Sequence, residues 1–188
     1  MSRDRIEAAQ AACLPRSLNL VDVFAGCGGL TQGFVESGFT PVSAVELDRA
    51  AAGTYAANFG PRIKVQDAAQ FAQGSFPRTD VVVGGPPCQG FSNLGARTAR
   101  DPRNDLWRQM VEVVRKTRPL FFVLENVPQF LRSLAFEGLT AATRHGGPLA
   151  GYRIDVAQVV NAADHGVAQV RRRAIVIGSC GPVPCASG

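Results

Sequence analysis

At 188 residues the chain is long enough for one full-sized domain with a sizeable core and short for two, so one fold is expected. Its 46% hydrophobic and 19% charged content is ordinary for a globular protein, and no apolar run approaches the roughly 20 residues that span a bilayer, which sets aside a membrane role. The net charge of +5 rests almost wholly on arginine, with Lys64 and Lys116 the only lysines; guanidinium forks suit phosphates, and a solvated basic surface accounts for the charge equally well.

Residues 1–17 mix Arg3, Asp4, Arg5 and Glu7 with alanines and contain no continuous apolar stretch, so they are read as an N-terminal extension, with a cytoplasmic setting as the default. A first strand is expected over 18–24, ending in Ala25-Gly26-Cys27-Gly28-Gly29, with a helix over 30–37 stopped by Gly38. A second strand over 42–46 leads to a helix over 49–58, closed by Gly60-Pro61. Short strands follow over 63–65 and 81–83, then a glycine- and arginine-rich loop over 90–103, a helix over 105–117 and a fifth strand over 120–124. Residues 129–145 read as helical with a break near Gly138. Segments 152–160 and 173–177 read as a closing pair of strands, and the proline-punctuated 179–188 as a frayed tail. This alternation describes an α/β domain built on a mostly parallel sheet closed by an antiparallel strand pair. Five scattered cysteines, Cys13, Cys27, Cys88, Cys180 and Cys185, suggest neither a disulfide framework nor a zinc clip; Cys180 and Cys185 alone make half a metal site, and no metal is expected.

Open α/β sheets bind ligands at the carboxyl ends of their strands, and the chemistry-bearing residues fall there. The glycine turn lets the backbone approach a ligand, with free N–H groups on the helix behind it, although a tight strand-to-helix turn explains the same residues. Glu46 ends the second strand about 20 residues on, where a carboxylate can take ribose hydroxyls, and Asp67 ends the third; together they describe an adenosine-type site. The fourth strand runs into Gly84-Gly85-Pro86-Pro87-Cys88-Gln89-Gly90, which either aims a thiol from a stiff loop or shapes a turn around a small buried cysteine. Glu125, at the end of the fifth strand, brings an acid to the same pocket or caps the next helix. Alternation places Arg171 and Arg173 on one face of the last strand, as a phosphate or base contact or as a charged, protected edge.

Taken in order, Asp22-Val23-Phe24-Ala25-Gly26-Cys27-Gly28-Gly29, Pro86-Pro87-Cys88-Gln89, Glu125-Asn126-Val127 and Gln169-x-Arg171-x-Arg173 resemble the cytosine-C5 DNA methyltransferase family, over residues 18–178. The resemblance implies a Rossmann-like class I S-adenosylmethionine-dependent methyltransferase fold. It implies an S-adenosylmethionine pocket formed by Phe24, Gly26, Gly28, Glu46 on the ribose, Asp67 near the adenine amine, Pro87 and Leu106. Cys88 becomes the nucleophile, with a lowered pKa to which Arg171 contributes, and Glu125, Arg171 and Arg173 join it in the catalytic set. Gln89, Ser92, Asn126 and Gln169 become DNA contacts, the target cytosine is flipped out of the duplex, and the 97–108 segment closes over DNA. His165 and Ala168 depart from the family, which usually has Tyr and Pro there.

Residues 18–178 are thus expected to be a catalytic domain. The family's target-recognition region and last packing helix are expected to lie on a second polypeptide, leaving an exposed apolar patch on this one; a truncated gene or fragment is the alternative. Two other readings remain at this point: a regulatory module that binds DNA or a partner without catalysis, and a transfer-RNA-type cytosine methyltransferase sharing these motifs. The Gln89-Gly90-Phe91-Ser92 continuation resembles the bacterial DNA enzymes, in keeping with a bacterial cytoplasm or nucleoid.

Overall fold

The computed structural model describes residues 17–87 and 106–181. Expectations for the extension up to residue 16, the 90–103 loop, the helix start at 105, the tail beyond 181, and Cys13, Cys88, Gln89, Ser92 and Cys185 lie outside the described residues.

Seven strands form one sheet: β1 (Asn19–Val23), β2 (Thr40–Glu46), β3 (Ile63–Val65), β4 (Val81–Gly84), β5 (Phe121–Asn126), β6 (Tyr152–Asn161) and β7 (Arg172–Cys180), in the order β3-β2-β1-β4-β5-β7-β6. The first five strands pair in parallel, and β7 lies antiparallel between β5 and β6. The expected closing pair is therefore present, with its later strand inserted inside its earlier one. Packing explains the insertion. Ala174 and Val176 on β7 are fully buried, and Gly178 lies flat against the Phe122 ring of β5, where an added Cβ would overlap the ring.

Helices α1 (Gly29–Glu36), α2 (Arg49–Phe59), α3 (Ala68–Gln73), α4 (Trp107–Thr117) and α5 (Leu134–Ala142) complete the fold. On one side of the sheet Val21, Val23, Val82, Phe122 and Leu124 join Met110, Val113 and Val114 of α4 and Leu139 of α5 in the main core. On the other side Leu20, Val81, Val83 and Val123 form a smaller cluster with Leu30 and Phe34 of α1, while Phe121, Ile175 and Ile177 are only partly buried.

Two helical expectations change. The short α3 was not anticipated, although Asp67 caps it by accepting Ala69 N–H at 2.7 Å and Gly74 follows its end. The long helix expected over 129–145 is a 3-10 turn, Pro128–Arg132, followed by α5, and the break falls at Ser133, whose hydroxyl accepts Phe136 N–H at 3.3 Å. Gly138 stays helical because the Trp107 ring packs on it, leaving only 2.8 Å between Cζ2 and an added Cβ. Among the described residues no helix is long and apolar enough to cross a membrane.

Candidate active site

The carboxyl ends of β1, β2 and β3 surround a cavity of about 460 Å³, a size suited to a small-molecule ligand. Phe24, Glu46, Asp67, Pro87 and Leu106, each anticipated, line it; Leu47, Asp48, Gln66 and Gly85 also line it and were not. Leu47 is 67% exposed, and the only signal for it was its place just after the acid at a strand end. Gly26 and Gly28 shape the wall without lining it, with left-handed φ of +53° and +92°. Phe24 also has a positive φ, 65°, a strained conformation for an aromatic residue that turns it off the strand at the cavity.

Glu46 fastens this corner. One carboxylate oxygen accepts Gly26 N–H at 2.9 Å, and the other accepts the N–H groups of Leu47 and Asp48 at 2.8 Å each. The same carboxylate therefore ties the glycine turn to the end of β2. Beneath the turn lies a group that the sequence did not single out. Asp22 is 1% exposed, accepts the Thr31 hydroxyl proton at 2.6 Å on one oxygen, and has no partner for the other. Tyr55 lies 3.3 Å from the same hydroxyl. Burial pushes the Asp22 carboxyl up to about 7 from its ordinary 3.8, against the Thr31 hydrogen bond and with the nearby Glu46 charge adding to the rise. Its sequence signals were an acid inside the apolar run Asn19-Leu20-Val21-Asp22-Val23 and its place at the head of the 22–29 motif, where no role was assigned to it.

The second corner is formed by β4, β5 and β7. Glu125 pairs with Arg173 at 2.8 Å, both side chains about a quarter exposed, and a Cβ added at Gly85 would sit 3.2 Å from the other Glu125 oxygen. The cap for the following turn is Val127, so Glu125 is not a helix cap. Arg171 and Arg173 do not share one target. Arg173 turns to Glu125, whereas Arg171 precedes β7 on an exposed turn, its backbone N–H donating to Asn161 Oδ1 at 3.1 Å. Gln169, His165 and Ala168 are exposed on the same turn. Asn126, expected at the DNA, is instead 4% exposed; its amide donates to the Pro86 carbonyl at 3.1 Å and its oxygen accepts Val127 N–H at 2.8 Å. Among the described residues no three His, Cys, Asp or Glu side chains gather as a metal site.

The fold is similar to that in a crystal structure of a prophage-encoded candidate DNA modification methyltransferase of E. coli. That likeness has a TM-score of 0.69 and 34% identity, over 87% of this chain and 47% of the other. The fold is a Rossmann-like methyltransferase fold. The type II methyltransferase M1.HphI of Haemophilus parahaemolyticus is 39% identical over 172 residues, 86% of this chain and 46% of that protein. M.DdeI of Desulfomicrobium norvegicum is 36% identical over 177 residues, 86% of this chain and 40% of that protein. The chain thus spans under half the length of these curated relatives. Residues 18–181 match the family model described as C-5 cytosine-specific DNA methylase, and the chain belongs to that family.

Proposed function

We propose that this chain carries the catalytic domain of a DNA (cytosine-5-)-methyltransferase that takes its methyl group from S-adenosylmethionine. The observation that carries the reading is the continuity of the two corners. The cavity under Glu46 and Asp67 extends to Gly85 and Pro87, the residues that lead into Cys88, and Glu125 stands beside Gly85. An adenosine-type ligand held at the strand ends and a cytosine held at Glu125 would thus share one wall.

S-adenosylmethionine supplies an electrophilic methyl group on a sulfonium. The chain's task is to make an aromatic C5 nucleophilic. In this reading the Cys88 thiolate adds to C6, placing the electron pair on C5 and N3, while Glu125, held by Arg173, contacts N3 and supports the charge that builds there. C5 takes the methyl group; loss of the C5 proton then expels the thiolate and restores the ring. The base must leave the stack for this attack, and in this reading Arg171 and Gln169, exposed on the turn, would contact the nucleic acid. Glu46 would receive the ribose hydroxyls and Asp67 the adenine amine.

Choosing a DNA sequence typically adds about 4–10 kcal/mol over non-specific binding and needs base-edge contacts. We place those contacts in a recognition region outside these 188 residues, supplied in the tests below as a separate recognition polypeptide; the greater length of the relatives supports this. The bacterial relatives support a bacterial cytoplasmic setting.

The test mixes the chain, with and without the recognition polypeptide, with S-adenosylmethionine and DNA containing 5-fluorocytosine, in which C5 carries fluorine in place of the proton whose loss would expel the thiolate. A covalent adduct is expected, and Cys88→Ala should abolish it. Arg173→Ala should slow methyl transfer about 100-fold, because it leaves the Glu125 charge without its bound partner. No adduct with the partner present, or methylation by Cys88→Ala, would overturn the mechanism. Separately, Glu46→Ala is expected to weaken S-adenosylmethionine binding by about 10- to 100-fold, since it removes charge-assisted bonds worth about 1.5–3 kcal/mol. Isothermal titration checks this, and an unchanged Kd would remove Glu46 from the site.

A further inference from the structure

We infer that Asn126 is a positioning residue that locks the Gly85–Pro87 segment onto β5, setting where the chain enters Cys88 relative to Glu125. The parallel β4–β5 ladder ends at the pair Gly84 and Leu124. Beyond it, Pro86 and Pro87 have no N–H to offer, so the sheet cannot hold this segment by its own donors. The Asn126 carboxamide replaces the ladder across that gap. It is 4% exposed, donates to the Pro86 carbonyl at 3.1 Å, and is itself oriented by Val127 N–H, which its oxygen accepts at 2.8 Å. The carboxamide cannot turn over without losing both bonds, because the oxygen must face an N–H and the NH₂ must face a carbonyl. Glu125 is the preceding residue of the same strand, and Gly85 packs on its carboxylate. One side chain therefore couples the acid to the segment that leads into the thiol, and its removal would loosen their spacing and the Gly85–Pro87 wall of the cavity while leaving the hydrogen bonds of the Glu46 corner in place. Small misplacements of reacting groups carry large rate losses.

The consequence for turnover rests on the proposed methyl transfer, and the test separates the two. In Asn126→Asp an oxygen replaces the NH₂ that faces the Pro86 carbonyl. Ionised, that carboxylate repels the carbonyl; protonated, its O–H donates to the carbonyl while the other oxygen keeps Val127 N–H, and burial favours the protonated form. With the recognition polypeptide present and S-adenosylmethionine saturating, kcat of Asn126→Asp relative to wild type is expected to rise about tenfold or more as pH falls from about 8.5 to 6. Asn126→Ala, which has no donor at any pH, should show a low and pH-independent ratio. Asn126→Ser, a shorter donor, stands in for either variant that fails to fold and should lie between them and wild type.

Hydrogen exchange decides the positioning without catalysis. In Asn126→Ala the 81–92 peptide should exchange faster than in wild type, while the 44–52 peptide at the Glu46 corner stays unchanged. A flat pH ratio for Asn126→Asp, full activity in Asn126→Ala, or unchanged exchange over 81–92 would overturn the inference. A wild-type complex that transfers no methyl group would instead overturn the proposed function, and the exchange result would still stand for or against Asn126.

Discussion

Replacing Asp22 by asparagine is expected to make the protein more stable at pH 8 and less stable at pH 4, a reversal of sign that few single substitutions produce. The Asp22 carboxyl titrates near 7 in the folded chain and near 3.8 when exposed. The folded state therefore holds a proton that the unfolded state has released throughout that interval. Stability falls with rising pH wherever the native state binds more protons, so wild type loses stability between about pH 4 and 7 and then levels off. The interval from 3.8 to about 7 corresponds to about 4 kcal/mol at full extent. Asparagine keeps an oxygen for the Thr31 hydroxyl and carries no titrating proton, so it escapes that loss. It also buries an NH₂ where the second Asp22 oxygen has no partner, which costs about 1–3 kcal/mol. The net gain at pH 8 is then about 1–3 kcal/mol, and the loss at pH 4 is of similar size. Urea midpoints of both proteins across pH 4 to 8 check this. Parallel curves would mean that Asp22 is not buried as a neutral acid.

Gly28→Ala is expected to cost about 2–5 kcal/mol of stability and more than tenfold in S-adenosylmethionine affinity. The φ of +92° at Gly28 is one that side-chain-bearing residues avoid. An added Cβ would overlap the Phe59 ring and lie 3.0 Å from Tyr55 Cδ2, where the core is already packed. The relief available is to lift the turn. That movement pulls Gly26 N–H from the Glu46 carboxylate, so stability and ligand affinity fall together. Gly33→Ala, inside α1 with nothing within 4 Å of the new Cβ, is the matched control. It should gain up to about 1 kcal/mol and bind ligand normally. Denaturant unfolding and calorimetric titration of both variants separate the outcomes, and a Gly28→Ala protein that binds ligand like wild type would remove the turn from the site.

Element types were legible where a local signal and the tertiary requirement agree. The buried strands β1, β4 and β5 are short apolar runs, β4 running into Gly84 and β5 into Glu125, and Gly38 and Gly60 follow the ends of α1 and α2 as expected. The break in the 129–145 segment was misplaced because glycine is the stronger local breaker, while the Trp107 ring requires a residue without a side chain at Gly138. The α3 helix was missed because six residues carry too little periodicity to register.

At the site, the sequence alone determined which chemical groups are available and the strand ends that carry them, since strand–turn–helix order and residue type are properties of the chain itself. Glycine turn, Glu46, Asp67 and Glu125 follow from that order. The partners of those groups were decided only by the tertiary structure. Alternation along β7 put Arg171 and Arg173 together, yet the antiparallel pairing of β7 with β5 sets Arg173 against Glu125 and leaves Arg171 on the turn before the strand. Asn126 read as a DNA contact, and its carboxamide is taken up by the Pro86 carbonyl, to which it donates, and by Val127 N–H, which it accepts. Asp22 read as part of a motif, and only burial against α1 and α2 raises its carboxyl to about 7 beneath the glycine turn. Hydrogen-bond partners and desolvation depend on distances between residues far apart in the chain, and packing sets those distances.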